Sequence, residues 1–333
     1  MSSNVYIVSK ENNSENWSTS IDEQKKHIVA SRLFGKRNVS ITYLPKSFLR
    51  SLIIARSILK NNPDLILVHH TICLWPFYIS SFCKEDTKIV SFLHEGEIAF
   101  KNKYSYSSAR SFISSFLRSS YYYHKLPQRV SDKTYVLTDF QIRILKLTKA
   151  EQINFLGVNP IDCPPMLNES DLTSSGNHSR TGFFPFSPSR PEKGFFLLER
   201  LTEICNISYP NNLSNDKMWS AYRASDFVII SSLEYETYSL ALIEAMASNK
   251  FIIASRKLGL VHNLLKLQSV EYYKKLGLYI VDPNEREITK AVIAILDVLE
   301  SGNEASTLSI FIQNQLDLPS VTKNIVSRII KDV

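Results

Sequence analysis

The sequence predicts an α/β chain built as two doubly wound, Rossmann-like domains, each a parallel sheet covered by helices. Three observations carry this expectation. Short apolar, β-branched runs recur along the chain, and most are followed by a stretch with helical spacing of apolar residues. The length of 333 residues suits about two domains, each large enough for its own core. A polar stretch, NESDLTSSGNHS at 168–179, separates the halves. The expected division is a first domain over 1–170, a linker over 171–179, a second domain over 180–315, and a closing segment over 316–333 that returns to the first domain.

In the first domain, Val5 to Val8 reads as a strand entered directly from the N-terminus, followed by a polar loop from Glu11 to Ser18 and a helix from Ile21 to Leu33. Val39 to Leu44 alternates as a strand, and Ser47 to Leu59 is an amphipathic helix stopped by Pro63. Leu65 to Val68 and Lys88 to Leu93 are the third and fourth strands. They close on His69-His70 and on His94-Glu95-Gly96-Glu97, at the strand ends where open α/β sheets bind ligands. The spacing of these histidines and of Glu95 and Glu97 fits no metal-ligand motif, so hydrogen-bonded strand caps are the plainer reading. Thr134 to Thr138 is a fifth strand, a helix runs to about Lys146, and Gln152 to Leu156 is the sixth strand.

Between the fourth and fifth strands, Lys101 to Arg129 carries six cations, among them Arg110, Arg118 and Lys125, and no acidic residue. Aromatics are interleaved, with Phe112, Phe116 and Tyr123 on one helical face. Basic residues with interfacial aromatics suit a helix lying on an anionic bilayer, and equally a helix packing its rings on its own sheet. No nucleic-acid motif accompanies the charge.

The second domain starts with a strand at Thr181 to Phe184, a loop SPSRPEKG at 187–194, and a helix from Phe195 to Ile204. Only Ile207 to Tyr209 offers a strand before the helix from Trp219 to Ser225. Then comes the most informative stretch, Asp226 to Ser255. Phe227 to Ile230 is a buried strand led in by Asp226, and Ser239 caps a helix that reaches Ser248. Asn249 suits the left-handed turn at the helix end, and Phe251 to Ala254 is the next strand. Gly259 to Leu265 is a short helix, Gly277 to Val281 the last strand, Glu287 to Leu299 the helix after it, and Ser320 to Asp332 a final helix. Two carboxylates stand out: Glu236 at the carboxyl end of the strand, and Glu244 inside the otherwise apolar helix. The first-turn N–H groups around Tyr238, Ser239 and Leu240 favour an anion such as phosphate. Phosphate between hydroxyl-binding carboxylates describes a nucleotide-sugar site.

The segment SDFVIISSLEYETYSLALIEAMASNKFIIAS resembles the signature of retaining glycosyltransferases of the large family 4 (group 1) type, which have the GT-B fold. The matching pattern is a strand ending in Ser, Glu-x7-Glu, Ala-Met-Ala and a second strand. The resemblance implies that Glu236 touches the donor sugar and that Glu244 holds the nucleotide ribose. It implies that His94 faces the sugar and acceptor from the first domain, and that the active site lies in an inter-domain cleft. Lys193-Gly194 matches the loop whose Arg and Lys grip the donor diphosphate; the family's Arg falls at Pro188, with Arg190 the nearest substitute. The family usually has glycines at Thr237 and Ser239, and Gly and Pro at Asn249 and Phe251. Its Gly-rich first loop is absent, and its base-recognition region is shortened.

Composition narrows the class. Hydrophobic residues make up 44% and charged residues 21%, as in globular proteins. Four scattered cysteines point to a reducing cytosol rather than a disulfide or metal framework. Neither a signal peptide nor a membrane-spanning run is expected. A net charge of +7 suggests an anionic partner. The reading is a hexosyltransferase-like enzyme of the cytoplasm, peripheral on the inner face of the plasma membrane, with a lipid-linked or cell-surface glycan acceptor. It uses a nucleotide-sugar as substrate, with no cofactor, no metal and no nucleic acid. A non-catalytic GT-B scaffolding subunit and a nucleotide-sugar epimerase remain the alternatives.

Overall fold

A computed structural model of the chain describes residues 3–10, 37–45, 47–70, 73–80, 87–93, 126–152, 172–175, 179–210, 215–302, 308 and 323–328. The chain divides into two compact units. One comprises Met1–Phe100, Tyr106–Leu156 and Leu318–Val333; the other comprises Lys101–Ser105 and Gly157–Asp317. The helix expected over Ile21 to Leu33 and nearly all of the basic stretch fall outside the described residues.

The first unit holds six parallel strands: β1 (Ser3–Lys10), β2 (Arg37–Leu44), β3 (Leu65–His69), β4 (Lys88–Leu93), β5 (Lys133–Val136) and β6 (Ala150–Gln152), in the order β2-β1-β3-β4-β5-β6. The apolar runs become strands because both faces are covered: every residue of β3 is buried. Helix α1 (Phe48–Lys60) lays Ala55, Ile58 and Leu59 against Val8, Ile66 and Val68 of the sheet. Helices α2 (Leu74–Ser80) and α3 (Leu126–Val130), which periodicity did not announce, complete that layer with Leu74, Phe77 and Leu126. Helix α4 (Asp139–Leu145) opens with a capping box between Thr138 and Gln141 and ends at a left-handed Lys146. Residues 323–328 are helical, and Arg328 pairs with Glu151 at 2.9 Å.

The second unit holds β7 (Leu172–Ser175), β8 (Thr181–Phe183), β9 (Asn206–Pro210), β10 (Phe227–Ile230), β11 (Phe251–Ser255) and β12 (Leu278–Val281), ordered β12-β11-β10-β8-β9-β7. All neighbours are parallel except β7, which runs antiparallel to β9. Part of the stretch read as a linker is therefore an edge strand, its backbone groups taken up by β9. Helices α5 (Asn215–Ala224), α6 (Leu240–Ala247), α7 (Gly259–Leu267), α8 (Val270–Lys275) and α9 (Glu285–Glu300) follow.

Residues Phe195–Glu203, expected as an α-helix, form a 3-10 helix. The apolar spacing explains it: Phe195, Leu198 and Leu201 recur every three residues, which is the 3-10 repeat. Leu198 and Leu201 share one core with Ile288, Val292 and Ile295 of α9 and with Phe227 and Ile229 of β10. On β10 these two alternate with Val228 and Ile230, which are also fully buried, so the strand is enclosed on both faces.

Three strands share one device at their amino ends. Asp64, Asp132 and Asp226 each stand immediately before β3, β5 and β10. Each carboxylate accepts from a backbone N–H on the neighbouring strand or just before it: Asn4 at 2.6 Å, Ile89 at 2.8 Å and Thr181 at 2.7 Å. Each aspartate's own N–H donates to the carbonyl of that same residue. The closed ring fixes register where pairing would otherwise fray. Asp226 also takes Arg180 at 3.1 Å.

Asp226→Ala leaves the Thr181 N–H without its acceptor and should cost roughly 1–3 kcal/mol. Urea unfolding of the variant should show a lower midpoint with an unchanged slope.

Candidate active site

In the second sheet the chain moves from β8 outward to β9 and then crosses to β10 on the other side of β8. The connection direction reverses between β8 and β10, and the crevice outside the carboxyl ends at such a point is where open α/β sheets bind ligands. The loop after β8 carries Arg190 and Lys193; the loop after β10 carries Glu236.

These two loops meet through an ion pair. Lys193 Nζ donates to Glu236 Oε1 at 2.5 Å, although the residues are 43 apart in sequence. Ser232 Oγ donates to the same oxygen. Oε2 of Glu236 makes no hydrogen bond among the described residues. Lys193 is only 7% exposed, and its ammonium lies 4.7 Å from the centre of the Phe186 ring. A buried ion pair has a large desolvation cost, which here is offset by the short contact, the serine and the aromatic face.

The backbone on both sides is fixed. Lys193 ends a short 3-10 turn, Pro191–Lys193, and Gly194 follows at φ 76°, in the left-handed region that glycine tolerates. Ser231 Oγ donates to the Lys193 carbonyl at 2.8 Å, and Leu233 N donates to the Glu192 carbonyl at 2.9 Å. On the other side, Glu236 N donates to the Lys257 carbonyl at 3.1 Å, and Gly259 N donates to the Glu236 carbonyl at 2.9 Å. A Cβ on Gly259 would lie 2.2 Å from the Thr237 carbonyl oxygen, so no other residue fits. Lys257 Nζ donates to the Leu233 carbonyl at 2.7 Å, and Ser255 Oγ to the Ser232 carbonyl at 2.7 Å.

The other expected donor-site residues are placed differently. Arg190 is exposed, pairs with Glu192 at 2.8 Å and lies 5.9 Å from the Phe186 ring centre. Ser239 caps α6, its Oγ accepting from Leu242 N. Asn249 has φ 59°, as a left-handed helix end requires. Leu240 is half-buried, while Tyr238 is buried with its hydroxyl meeting no hydrogen-bond partner among the described residues. Glu244 is 3% exposed, and the Tyr222 hydroxyl of α5 donates to its Oε2 at 2.9 Å. The structure thus brings Lys193 and Glu236 together and gives Glu244 a separate, enclosed environment. His94, Arg110, Arg118 and Lys125 lie outside the described residues.

Sequence reasoning missed Tyr222 as the partner of Glu244, and Phe186 and Lys257 as supports of the loops. A buried glutamate in an apolar helix needs a donor, and the aromatic pair Trp219 and Tyr222 one helix earlier was the available signal. At the end of β3, His69 is buried and stacks on Phe92 at 4.6 Å, and His70 turns the chain at φ 69°. Among the described residues, no group of three or more acidic, His or Cys side chains could hold a metal ion.

Tyr222 titrates well above the usual 10.0, because burial and then the Glu244 carboxylate both disfavour a phenolate. A folded-state pKa raised above the unfolded one contributes stability that is complete below pH 10 and is lost as pH climbs further. Tyr222→Phe should therefore flatten the alkaline fall in stability. It should also cost about 1–3 kcal/mol at neutral pH by leaving Glu244 short of a donor. Denaturant melts at pH 7 and above pH 10 check both effects.

No protein-family model matches the chain, and no curated protein matches it in sequence. Solved structures do match across both units. Sucrose-phosphate synthase from Thermosynechococcus elongatus superposes with a TM-score of 0.66 at 11% identity, covering 99% of this chain and 98% of that one. Anabaena Alr3699/HepE in complex with UDP-glucose gives 0.64 at 12% identity, covering 99% of this chain and 100% of that one. The lipopolysaccharide outer core galactosyltransferase WaaB, in its apo form, gives 0.65 at 10% identity, with 99% and 100% covered. At such identities the likeness is one of fold: the chain has the GT-B fold of these glycosyltransferases, two α/β units each built on a parallel sheet.

Proposed function

We propose that the protein transfers a sugar, with retention, from a nucleotide-sugar to a hydroxyl acceptor on a lipid-linked or cell-surface glycan intermediate. The observation that carries this reading is the Lys193–Glu236 pair at the switch point of the second sheet. Support also comes from HepE, a neighbour in fold that binds UDP and UDP-glucose.

The chemistry follows from the two side chains. A donor diphosphate draws Lys193 toward its charge, aided by the first-turn N–H groups of α6. Glu236 then keeps Ser232 on Oε1 and offers Oε2 to a hydroxyl of the donor sugar. A carboxylate near the anomeric centre favours the cationic character of a glycosyl transition state. Lys193 stabilises the negative charge that develops on the leaving diphosphate, so no metal is required in this reading. Glu244 takes the ribose by sharing its carboxylate with Tyr222. Arg190 reaches the diphosphate by leaving Glu192. By the family resemblance His94 serves the sugar and acceptor, and the charges of Arg110, Arg118 and Lys125 suit an anionic membrane or acceptor.

A non-catalytic GT-B relative acting as a binding or scaffolding subunit is the second reading, and Arg190, exposed and paired with Glu192, favours it. Two measurements separate them: thermal shift against UDP, GDP, ADP, CMP and dTDP, and hydrolysis of a nucleotide-sugar panel with and without membrane extract. Binding without turnover points to the scaffold; neither binding nor turnover sinks both readings.

Glu236→Gln keeps the shape and removes the charge. It should lower kcat by at least ~10²-fold, about 2.7 kcal/mol. Calorimetry should show the nucleoside diphosphate binding at least as tightly as before, because Lys193 has lost its competitor. Lys193→Met should weaken the nucleoside diphosphate far more than the nucleoside, since only the former carries the charge that Lys193 pairs with. Equal losses on both ligands would remove Lys193 from the donor site.

A further inference from the structure

Helix α1 presents an outward face that the transferase reading does not use. Leu49 and Ile53 are 68% and 65% exposed, and Phe48 is 45% exposed. They are not scattered. Leu49, Ile53, Arg56 and Lys60 follow one line down the helix at steps of four, three and four residues, with Arg50 and Ser57 beside them. The opposite face buries Ser51, Ala55, Ile58 and Leu59.

The charge on this face has one sign. Arg50, Arg56 and Lys60 are exposed and make no ion pair among the described residues. The sequence holds no acidic residue between Glu23 and Asp64. Beside the start of α1 runs an aromatic strip from the same unit. Phe48 meets Trp75 at 6.3 Å, Trp75 stacks on Tyr78 at 5.9 Å, and the exposed Arg129 donates to the Tyr78 hydroxyl at 3.1 Å.

We infer that this face of α1 docks on an anionic lipid bilayer, lying in the interface plane. Leu49 and Ile53 enter the boundary between headgroups and acyl chains, and Phe48, on the side of the buried face, borders them beside Trp75. Arg50, Arg56 and Lys60 meet lipid phosphates, and Trp75 and Tyr78 sit at headgroup level, the depth that amphipathic rings prefer. A protein partner with an acidic groove would match the cations but gives no reason for the neighbouring interfacial aromatics. Among the described residues no helix is long and apolar enough to cross a membrane, so the contact is one of surface. The inference rests on no part of the transferase reading.

The test is co-sedimentation of the full chain with phosphatidylcholine–phosphatidylglycerol vesicles and with phosphatidylcholine vesicles alone. The wild type should bind the former and not the latter at low salt. Replacing Arg50, Arg56 and Lys60 together by Ala should reduce the partition on the order of 10²-fold, from about 1 kcal/mol per cation. Leu49→Glu with Ile53→Glu should abolish binding. These positions are exposed, so the melting temperature and nucleotide binding of both variants should match the wild type. A wild type that ignores anionic vesicles overturns the proposal, as do α1 variants that bind like the wild type. Loss confined to a variant with Arg110, Arg118 and Lys125 replaced by Ala would move the contact elsewhere and equally overturn it. A wild-type dimer that Leu49→Glu with Ile53→Glu dissociates, with no vesicle binding, would make a second copy the occupant instead.

Discussion

The pairing of β8 with β10 is the constraint on which the candidate site depends. It is a parallel contact of few residues, Phe227 opposite Gly182 and Val228 opposite Phe183, reinforced by the ring that Asp226 closes on Thr181. The two strands run in one direction while the order of connection reverses across them, so the loops leaving their adjacent carboxyl ends border one crevice. A lysine from one loop and a glutamate from the other meet there in an ion pair, both side chains largely shielded from solvent. The same aspartate device at β3 and β5 gives the first sheet its register, so one local hydrogen-bonding solution serves both units.

The two glutamates of the Glu-x7-Glu pattern end in opposite environments. Glu236 stands in a loop and is balanced by a cation, which a stronger anion can recruit. Glu244 stands on a helix and is held by a neutral phenol, which no anion recruits. The carboxylate paired with a full charge is therefore the one in the loop. The helix glutamate and Tyr222 form a fixed polar contact between α5 and α6, within the layer that covers one face of β10.

The fold was legible because buried parallel strands leave a plain mark. The runs at Leu65, Lys88, Phe227, Phe251 and Leu278 are mostly apolar, and each is a strand at nearly the expected bounds. The N-cap at Ser239 and the left-handed Asn249 followed from side-chain chemistry alone. The 3-10 form of Phe195–Glu203 was hidden, since a period of three differs little from 3.6 over nine residues. Edge strand β7 was hidden because its residues are polar and its pairing depends on β9 alone. At the candidate site, Glu236 and Glu244 stood out by their placement and Lys193 by the family resemblance of its loop, but their partners did not. Phe186, Ser232 and Tyr222 reach them through tertiary packing, which spacing along the chain does not encode.

Gly259 has a mechanical meaning beyond its fit. With its Cα pressed on the Thr237 carbonyl and its N–H on that of Glu236, the segment after β11 and the loop after β10 form a single splint. Lys257 fastens the same splint at Leu233, and the ring of Tyr235 stacks on His262 in α7. Glu236 therefore has little travel of its own. A shift of the Glu236 backbone would strain its bond to Gly259 at the first turn of α7, which makes that helix a lever on the carboxylate's position.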